Sequence, residues 1–473
     1  MSEGALLDLV ARGRKDAYFI GAAPGSRRFW GAEYERRGGS AREVRIEYTE
    51  TGARFGHWVD IELPHYGDML MSADIRIQMP TWLPPEIAAA NRETGVDVTV
   101  ESAQWPGTFL HYGWTNGIGN YIVERWALFA DSRKIQEGWG DFNSWFPDME
   151  TTHMRAPILH ATTGTHAGTE QKIQWNATPP ELVFRVPMVG LQGNDDAGLP
   201  LCAMRGQRLY LRLWLAPKEK MVESGVKEYV HDPTLDRELP LYEVCPAPWG
   251  GRAGRLVRDG VTREFRTLED YQIGQPYVYG RFAVVHLDDE TRAAVAAEAQ
   301  DIVFYEQRRE EFVVEDADWN PTARITRRLG IQGFFQALYV GFLLDARRQQ
   351  NRYRDINPPG GGEWLLNLAL YVNSEERILE WPPAQFQELA NNTQMHRDVE
   401  SELYFLIFGV SPERGPAGVC ELNRTQKVNL ALQLEAVPAD PVTGSSMTVG
   451  SVLGLSWNVF RVAGGVGRVV FED

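Results

Sequence analysis

Short runs in which apolar and polar residues alternate dominate the chain from Phe29 onward. Glu43–Tyr48, His57–Leu63 and Met69–Met79 each put one apolar face opposite a polar one, the mark of a half-buried strand. Tyr121–Ala130 and Glu181–Val186 read the same way. Gln207–Leu215 carries Leu at every second position and is the strongest strand signal in the sequence. Strands resume at Tyr277–Leu287, Leu365–Val372, Glu402–Gly409, Val428–Leu434 and Val449–Val462. In that last run Val449, Leu453, Leu455, Trp457 and Val459 mark the core-facing side, and the mixed even positions predict a second face partly covered by a neighbour.

One helix stands out. Asp288 or Asp289 supplies its cap, Glu290 suits its dipole, and Ala293–Ala297 carries it towards Gln307. No strand–helix–strand alternation is present, which disfavours a doubly wound sheet. About fifteen short strands in two blocks, separated by polar loops, fit two eight-stranded sandwiches. Residues 1–25 read as an amphipathic arm ending at Ala22-Ala-Pro-Gly25. Residues 26–217 form a first block, and the charged, turn-rich stretch 218–270 reads as a linker or excursion. Residues 271–473 form the second block.

Composition narrows the function. The chain has 473 residues, a formal net charge of −16 and 24% charged residues. That acidity repels phosphate backbones and argues against direct nucleic-acid wrapping. Cys202, Cys245 and Cys420 are far apart, which excludes a disulfide scaffold and a four-cysteine zinc site. Residues 1–10 lack a basic n-region and a long apolar core, so no signal peptide is predicted. No run of 18 apolar residues predicts a membrane span. Lysines number only seven, so 41 of the 48 basic residues are Arg; with 15 Trp and 20 Phe this suits protein–protein contacts as well as a GC-rich genome.

Chemical motifs are missing. P-loop, G-x-G-x-x-G, H-E-x-x-H and G-x-S-x-G patterns do not occur. Asp316-Ala-Asp-Trp-Asn320 opens like a calcium loop, but Pro321 replaces the needed Gly and Arg327 the needed Glu, leaving a polar turn. His153, His160 and His166 share a Thr/Gly-rich stretch without a common strand face and read as a solvated loop rather than a metal site. Glu306, Asp288 and Asp289 read as caps or surface charges. Sequons at Asn176, Asn391 and Asn423 read as unused. No catalytic residue, metal ligand or cofactor site is expected.

Several segments nevertheless resemble one family. Gly4-Ala-Leu-Leu-Asp-Leu-Val-Ala-Arg-Gly13 with Asp16–Gly21, then Gly67-Asp-Met-Leu70, Trp114–Phe129 and Arg133–Gly140, are similar in order to the double jelly-roll major capsid proteins of nucleocytoplasmic large DNA viruses. Leu199–Leu201, Tyr277–Arg292 and Phe304–Gln307 continue the resemblance. Tyr404–Asn423 is its most specific stretch, and Trp457–Gly467 closes it. Arg327–Arg347 replaces a recognisable family segment, so the chain resembles a divergent member.

The resemblance implies an all-β fold of two tandem eight-stranded antiparallel jelly rolls, with long loops and a few short helices. It implies a non-enzymatic structural subunit that forms homotrimeric, pseudo-hexameric capsomers tiling an icosahedral shell. Implied partners are the chain itself, neighbouring capsomers, minor capsid and penton proteins, and the inner viral membrane through residues 1–25. The implied location is the virion, after assembly in the host cytoplasm. A tandem β-sandwich carbohydrate-binding or carbohydrate-active protein is the alternative, because many Trp suit sugar stacking; no spacing of acids singles out a glycosidase pair.

Overall fold

The computed structural model describes residues 40–49, 52–81, 112–150, 156–165, 175, 179–192, 198–224, 229–232, 237–240, 255–258, 261–264, 274–349, 351–358, 363–382, 385, 403–408, 418–422, 427–435 and 446–471. The expected N-terminal arm, His153, His166, Cys245 and all three sequons lie outside them.

Eight strands build the first roll: β1 (Ser40–Tyr48), β2 (Trp58–Glu62), β3 (Met69–Gln78), β4 (Val123–Ala130), β5 (Arg133–Trp139), β6 (Glu181–Arg185), β7 (Leu209–Leu215) and β8 (Tyr277–Leu287). They pair antiparallel in two four-stranded sheets, ordered β1-β8-β3-β6 and β2-β7-β4-β5. Eight more build the second: β9 (Gln300–Val314), β10 (Arg324–Leu329), β11 (Gly333–Leu344), β12 (Leu365–Val372), β13 (Glu375–Trp381), β14 (Tyr404–Ile407), β15 (Val428–Leu434) and β16 (Thr448–Ala463). Their sheets run β9-β16-β11-β14 and β10-β15-β12-β13. The second order is the first with eight added to every label, so the chain holds two copies of one topology. This is the expected all-β pair of eight-stranded rolls.

Both rolls bury what alternation sets inward except at β1, whose apolar positions Val44, Ile46 and Tyr48, expected to be buried, stand exposed on the outer face. β7 alternates buried and half-buried along its length, with Leu209, Leu211, Leu213 and Leu215 in the core. Ile75 on β3 lies opposite Phe184 on β6, both fully buried. In the second roll Leu338, Phe342, Leu368, Leu430 and Val452 form the corresponding core.

The domain boundary differs from the sequence expectation. Strand β8, placed in the second block by proximity, hydrogen-bonds between β1 and β3 and closes the first roll. Its buried face, Val278, Phe282 and Val284, joins the first core. Residues 218–270 are therefore the connection from β7 to β8 within one roll, not a linker between rolls. Its described parts include the hairpins Tyr229–Asp232/Arg237–Pro240 and Arg255–Arg258/Val261–Glu264, and Val222–Ser224 pairs with Tyr112–Trp114. The true connector is helix α3 (Asp289–Ala297), named here after α1 (Gly140–Glu150) and α2 (Ala156–Thr163).

Asp288 caps α3 by accepting Thr291 N–H at 2.7 Å, as expected. The helix stops at Ala297 rather than reaching Gln307, because Gln300 onward pairs with β16.

Strand β16 also corrects an expectation. It is central, between β9 and β11. Its even positions, however, face the cores: Val452 enters the second core, and Phe460 and Val462 enter the first. Leu453 and Leu455, expected to face a core, face the other roll instead. The strand is not the last, since Val466–Val469 folds back on Phe460–Ala463.

Candidate functional site

In a chain without catalytic motifs, the surfaces where one roll meets another are the sites with most physical content. The roll-to-roll contact is asymmetric. The outer face of β9-β16-β11-β14 presents Tyr305, Leu455, Leu453, Tyr339 and Phe405, all buried. They pack against Phe142 and Trp145 on α1 of the first roll, and against Ile356 and Leu403 of their own roll. Helix α1 follows β5 directly, so the edge strand of the sheet β2-β7-β4-β5 delivers it. Gly341 leaves room for the indole of Trp145: an added Cβ would meet that ring at 2.7 Å.

Three glutamines stitch the contact. Gln136 on β5 donates to the Tyr305 carbonyl at 3.0 Å and accepts Val189 N–H at 2.7 Å. Gln192 donates to the same carbonyl at 2.9 Å and accepts Tyr305 N–H at 2.7 Å. Gln307 accepts Trp139 N–H at 2.8 Å. Each amide satisfies backbone groups of the other roll in a water-poor seam, where an orphaned donor or acceptor is costly. Asn351, in the second roll's β11–β12 connection, likewise donates to the Glu219 and Val222 carbonyls at 2.6 Å.

Beside this seam lies a cleft of about 470 Å³. Asp141 and Arg309 pair across it at 3.0 Å, and Arg309 also meets Glu311 on its own strand. Burial pushes the Asp141 carboxyl above its ordinary range, and Arg309 opposes that only in part. Burial also pushes up the Tyr353 phenol, which packs against Tyr121 at 4.9 Å.

Among the described residues, the equivalent outer face on the first roll, β1-β8-β3-β6, has no such cover. Val44, Ile46, Tyr48 and Tyr277 are 46%, 48%, 63% and 50% exposed. They form an apolar stripe along one edge; Ile46 lies opposite Arg281 and Tyr48 opposite Tyr279. Edge strands with this composition are ready to be covered.

The residues singled out for chemistry are not brought together. His160 stands half-buried on α2 rather than in a solvated loop. Among the described residues, no group of three or more His, Cys, Asp or Glu is placed to hold a metal ion. Asp316–Asp318 is a single 3-10 turn, boxed by Glu315 and Asp318. Glu306 accepts from Arg308 and from Asn458, each at 2.8 Å. The seam glutamines escaped notice because lone Gln residues carry no motif.

No protein-family model and no curated protein matches the sequence. Solved structures do. A chain of the PBCV-1 virus capsid superposes with a TM-score of 0.64 at 13% identity, covering 94% of this chain and 100% of that one. The Faustovirus major capsid protein gives 0.52 at 9% identity, covering 97% of each chain. A chain of the Sputnik virophage gives 0.53 at 10% identity, covering 94% of this chain and 91% of that one. At such identities the likeness is one of fold: this chain has the tandem jelly-roll architecture of those proteins along nearly its whole length.

Proposed function

We propose that the chain is the major capsid subunit of a large DNA virus, a structural protein that assembles as a homotrimer of pseudo-hexagonal outline and tiles an icosahedral shell. One observation carries the reading. Within the chain, α1 and the β5 edge of one roll cover the outer face of the next roll's β9-β16-β11-β14 sheet. Among the described residues the matching face of the first roll has no such cover; its β1 edge is an apolar stripe of Val44, Ile46 and Tyr48, beside a centre that carries Arg281, Asp74 and Arg76. Repeated, a head-to-tail contact between similar units closes into a ring when its rotation divides the full turn, and six units around one axis satisfy that. Two rolls per chain and three chains give six units around one axis, and the Val44/Ile46/Tyr48/Tyr277 stripe becomes the seat for the second roll of the neighbouring chain. The fold shared with viral capsid proteins supports the same reading.

On this reading the partners are copies of the chain, then neighbouring capsomers, minor capsid and penton proteins, and the inner viral membrane through residues 1–25. The acidic chain makes no direct contact with nucleic acid, and it resides in the virion after assembly in the host cytoplasm. The test is light scattering of the purified chain: a stable species of roughly 160 kDa, three chains of 53.5 kDa, is expected. A strict monomer at every concentration would sink the proposal.

A further inference from the structure

The outer face of the sheet β2-β7-β4-β5 carries a feature that neither the fold nor the roll-to-roll seam needs. Its rows are read from the strand register. Trp58, Trp214 and Arg125 lie side by side across three strands, and that row ends at Trp139 beside the inter-roll cleft. The next row sets Asp60 beside Arg212, and the third sets Tyr210 beside Phe129. These side chains are locked in place. Phe129 and Tyr210 stack with centroids 5.1 Å apart and planes 5° from parallel. The Arg212 guanidinium lies 4.2 Å from the Trp58 ring centroid, and Arg125 lies 3.8 Å from that of Trp214.

The carboxylates of this platform are already paired within it, and Arg125 lies over the Trp214 ring. Arg212 binds Asp60 through two bonds of 2.8 Å, and Arg208 binds Glu62 through two bonds of 3.0 Å. Covering such a surface demands no counter-charge from a partner. Its aromatic and Arg side chains lose little freedom on binding, the condition under which these residue types dominate interface energy. Yet Trp58 is 53% exposed.

The equivalent face of the second roll shows that the platform is not a requirement of the topology. There the matching rows set Arg324 beside Gln433, Thr326 beside Ala431, and Arg328 beside Asn429. Those rows hold no tryptophan; Thr326 and Ala431 stand at their centre, and Tyr371 accepts from Arg324 at 3.2 Å.

We propose that the Trp58–Arg212 platform is the surface through which one capsomer contacts a second copy of this chain in a neighbouring capsomer. The inference rests on the capsid reading and deepens it. Three observations select a second copy. The platform is continuous with an existing contact between rolls, through Trp139. Its exposed end, Trp58, stands on the β2 edge, at the far side of the sheet from the β5 edge that delivers α1 to the second roll. And the chain carries a net charge of −16, so copies repel; a face whose carboxylates Asp60 and Glu62 are paired with Arg212 and Arg208 adds no like-charge repulsion at the contact.

The test uses the full-length chain and compares wild type with Trp58→Ser and Trp58→Phe. Molar mass and thermal midpoint report the capsomer; the concentration at which capsomers associate further reports the lattice. Trp58→Ser is expected to keep the wild-type capsomer mass and midpoint while raising the association concentration at least tenfold, with Trp58→Phe restoring most of it. Association of Trp58→Ser at the wild-type concentration would make the platform a solvent face and overturn the proposal. So would wild-type capsomers that never associate. Trp58→Ser chains that fall apart to monomers would place the platform inside the capsomer and also overturn it. A wild type that is itself monomeric fails the capsid reading, a result distinct from all of these.

Discussion

Asp68 accepts a hydrogen bond from Arg292 Nε at 2.9 Å, joining the start of β3 to the connector helix α3. The same carboxylate accepts Leu287 N–H at 2.8 Å and faces Arg205 at 3.3 Å. One buried side chain thus holds the last residue of β8, the helix that leads to the second roll, and the turn before β7. Gly67 precedes it with a φ of +115°, and an added Cβ would meet Val284 at 2.8 Å. The Gly67-Asp68 pair is the physical content of one segment on which the family resemblance rested: it fixes where one roll ends and the next begins.

Replacing Asp68 by Asn should therefore lower stability by about 1–3 kcal/mol at pH 7, since a buried carboxylate loses its charge-assisted bonds while the two guanidinium groups it meets stay partly in water. Burial raises the Asp68 pKa, but the Leu287 amide, Arg292 and Arg205 outweigh it and leave the folded value below the ordinary one. A depressed folded pKa gives stability that is present above the unfolded value near 3.9 and lost as pH falls through the folded value. Chemical denaturation from pH 7 to pH 2 should show wild type losing this contribution below about pH 4, and Asp68→Asn lacking that part of the slope.

Much of this architecture was legible in the alternation pattern. Leu209–Leu215 and Tyr277–Leu287 are strands because one-residue spacing fixes which face is wet. Alternation cannot tell which sheet a strand joins, so Tyr277–Leu287 was grouped with its sequence neighbours rather than with Ser40–Tyr48, its partner more than 200 residues earlier. Gly333–Leu344 escaped because it is buried along nearly its whole length on both faces and shows no alternation. Arg133–Trp139 and Gln300–Val314 escaped because their polar sides face a seam or solvent. The seam itself was illegible: Gln136, Gln192 and Gln307 matter only through the pairing of distant backbones.

Gly138→Ala should loosen that seam. A Cβ there would meet Gln307 Oε1 at 2.5 Å and Trp126 Nε1 at 2.6 Å, both buried. The overpacking should cost about 1–3 kcal/mol. Hydrogen exchange should then accelerate at the Trp139 amide, which Gln307 accepts, while amides within β7 keep their protection. Unchanged protection at Trp139 would show that the seam absorbs the methyl group.

Asp141→Asn should have the opposite sign to Asp68→Asn. Burial dominates at Asp141 and raises its folded pKa, even with Arg309 at 3.0 Å. A raised folded pKa means a stability contribution fully present below the unfolded value and lost as pH rises through the folded one. The wild type should therefore gain stability from this group as pH falls from 7 towards 4, and Asp141→Asn should abolish that gain without lowering stability at pH 7. Urea midpoints across that range decide it; a variant clearly weaker at pH 7 would mean that the Arg309 pair outweighs burial.

Ile46→Lys tests the bare stripe. Ile46 is 48% exposed on an edge strand and sits outside both cores, so the fold should tolerate the change. A charge in a face meant for burial is costly unless it is paired. The variant should be monomeric at concentrations where the wild type is a trimer, with its thermal midpoint falling only as far as loss of the trimer requires. Trimers of unchanged stability would move the contact elsewhere.

Truncation before Thr448 should unfold both rolls, not only the second. β16 is hydrogen-bonded on one side to β9 over fifteen residues and on the other to β11, so its loss leaves two strands without backbone partners. It also removes Phe460 and Val462, fully buried in the first roll's core, and with them Val469 of the closing hairpin. That hairpin is clipped to the first roll by Gly467 N–H donating to Gln207 at 2.8 Å and Gly206 N–H donating to the Gly465 carbonyl at 3.2 Å. Two buried aromatic or branched side chains alone are worth about 3–6 kcal/mol of transfer free energy, a large share of a domain stability of about 5–15 kcal/mol. The narrower truncation after Ala463 removes only the hairpin and should spare the second roll while lowering the first roll's midpoint. If tryptophan fluorescence and limited proteolysis instead find a native first roll after truncation before Thr448, then Phe460 and Val462 only rest against that core, and the two rolls fold as independent units.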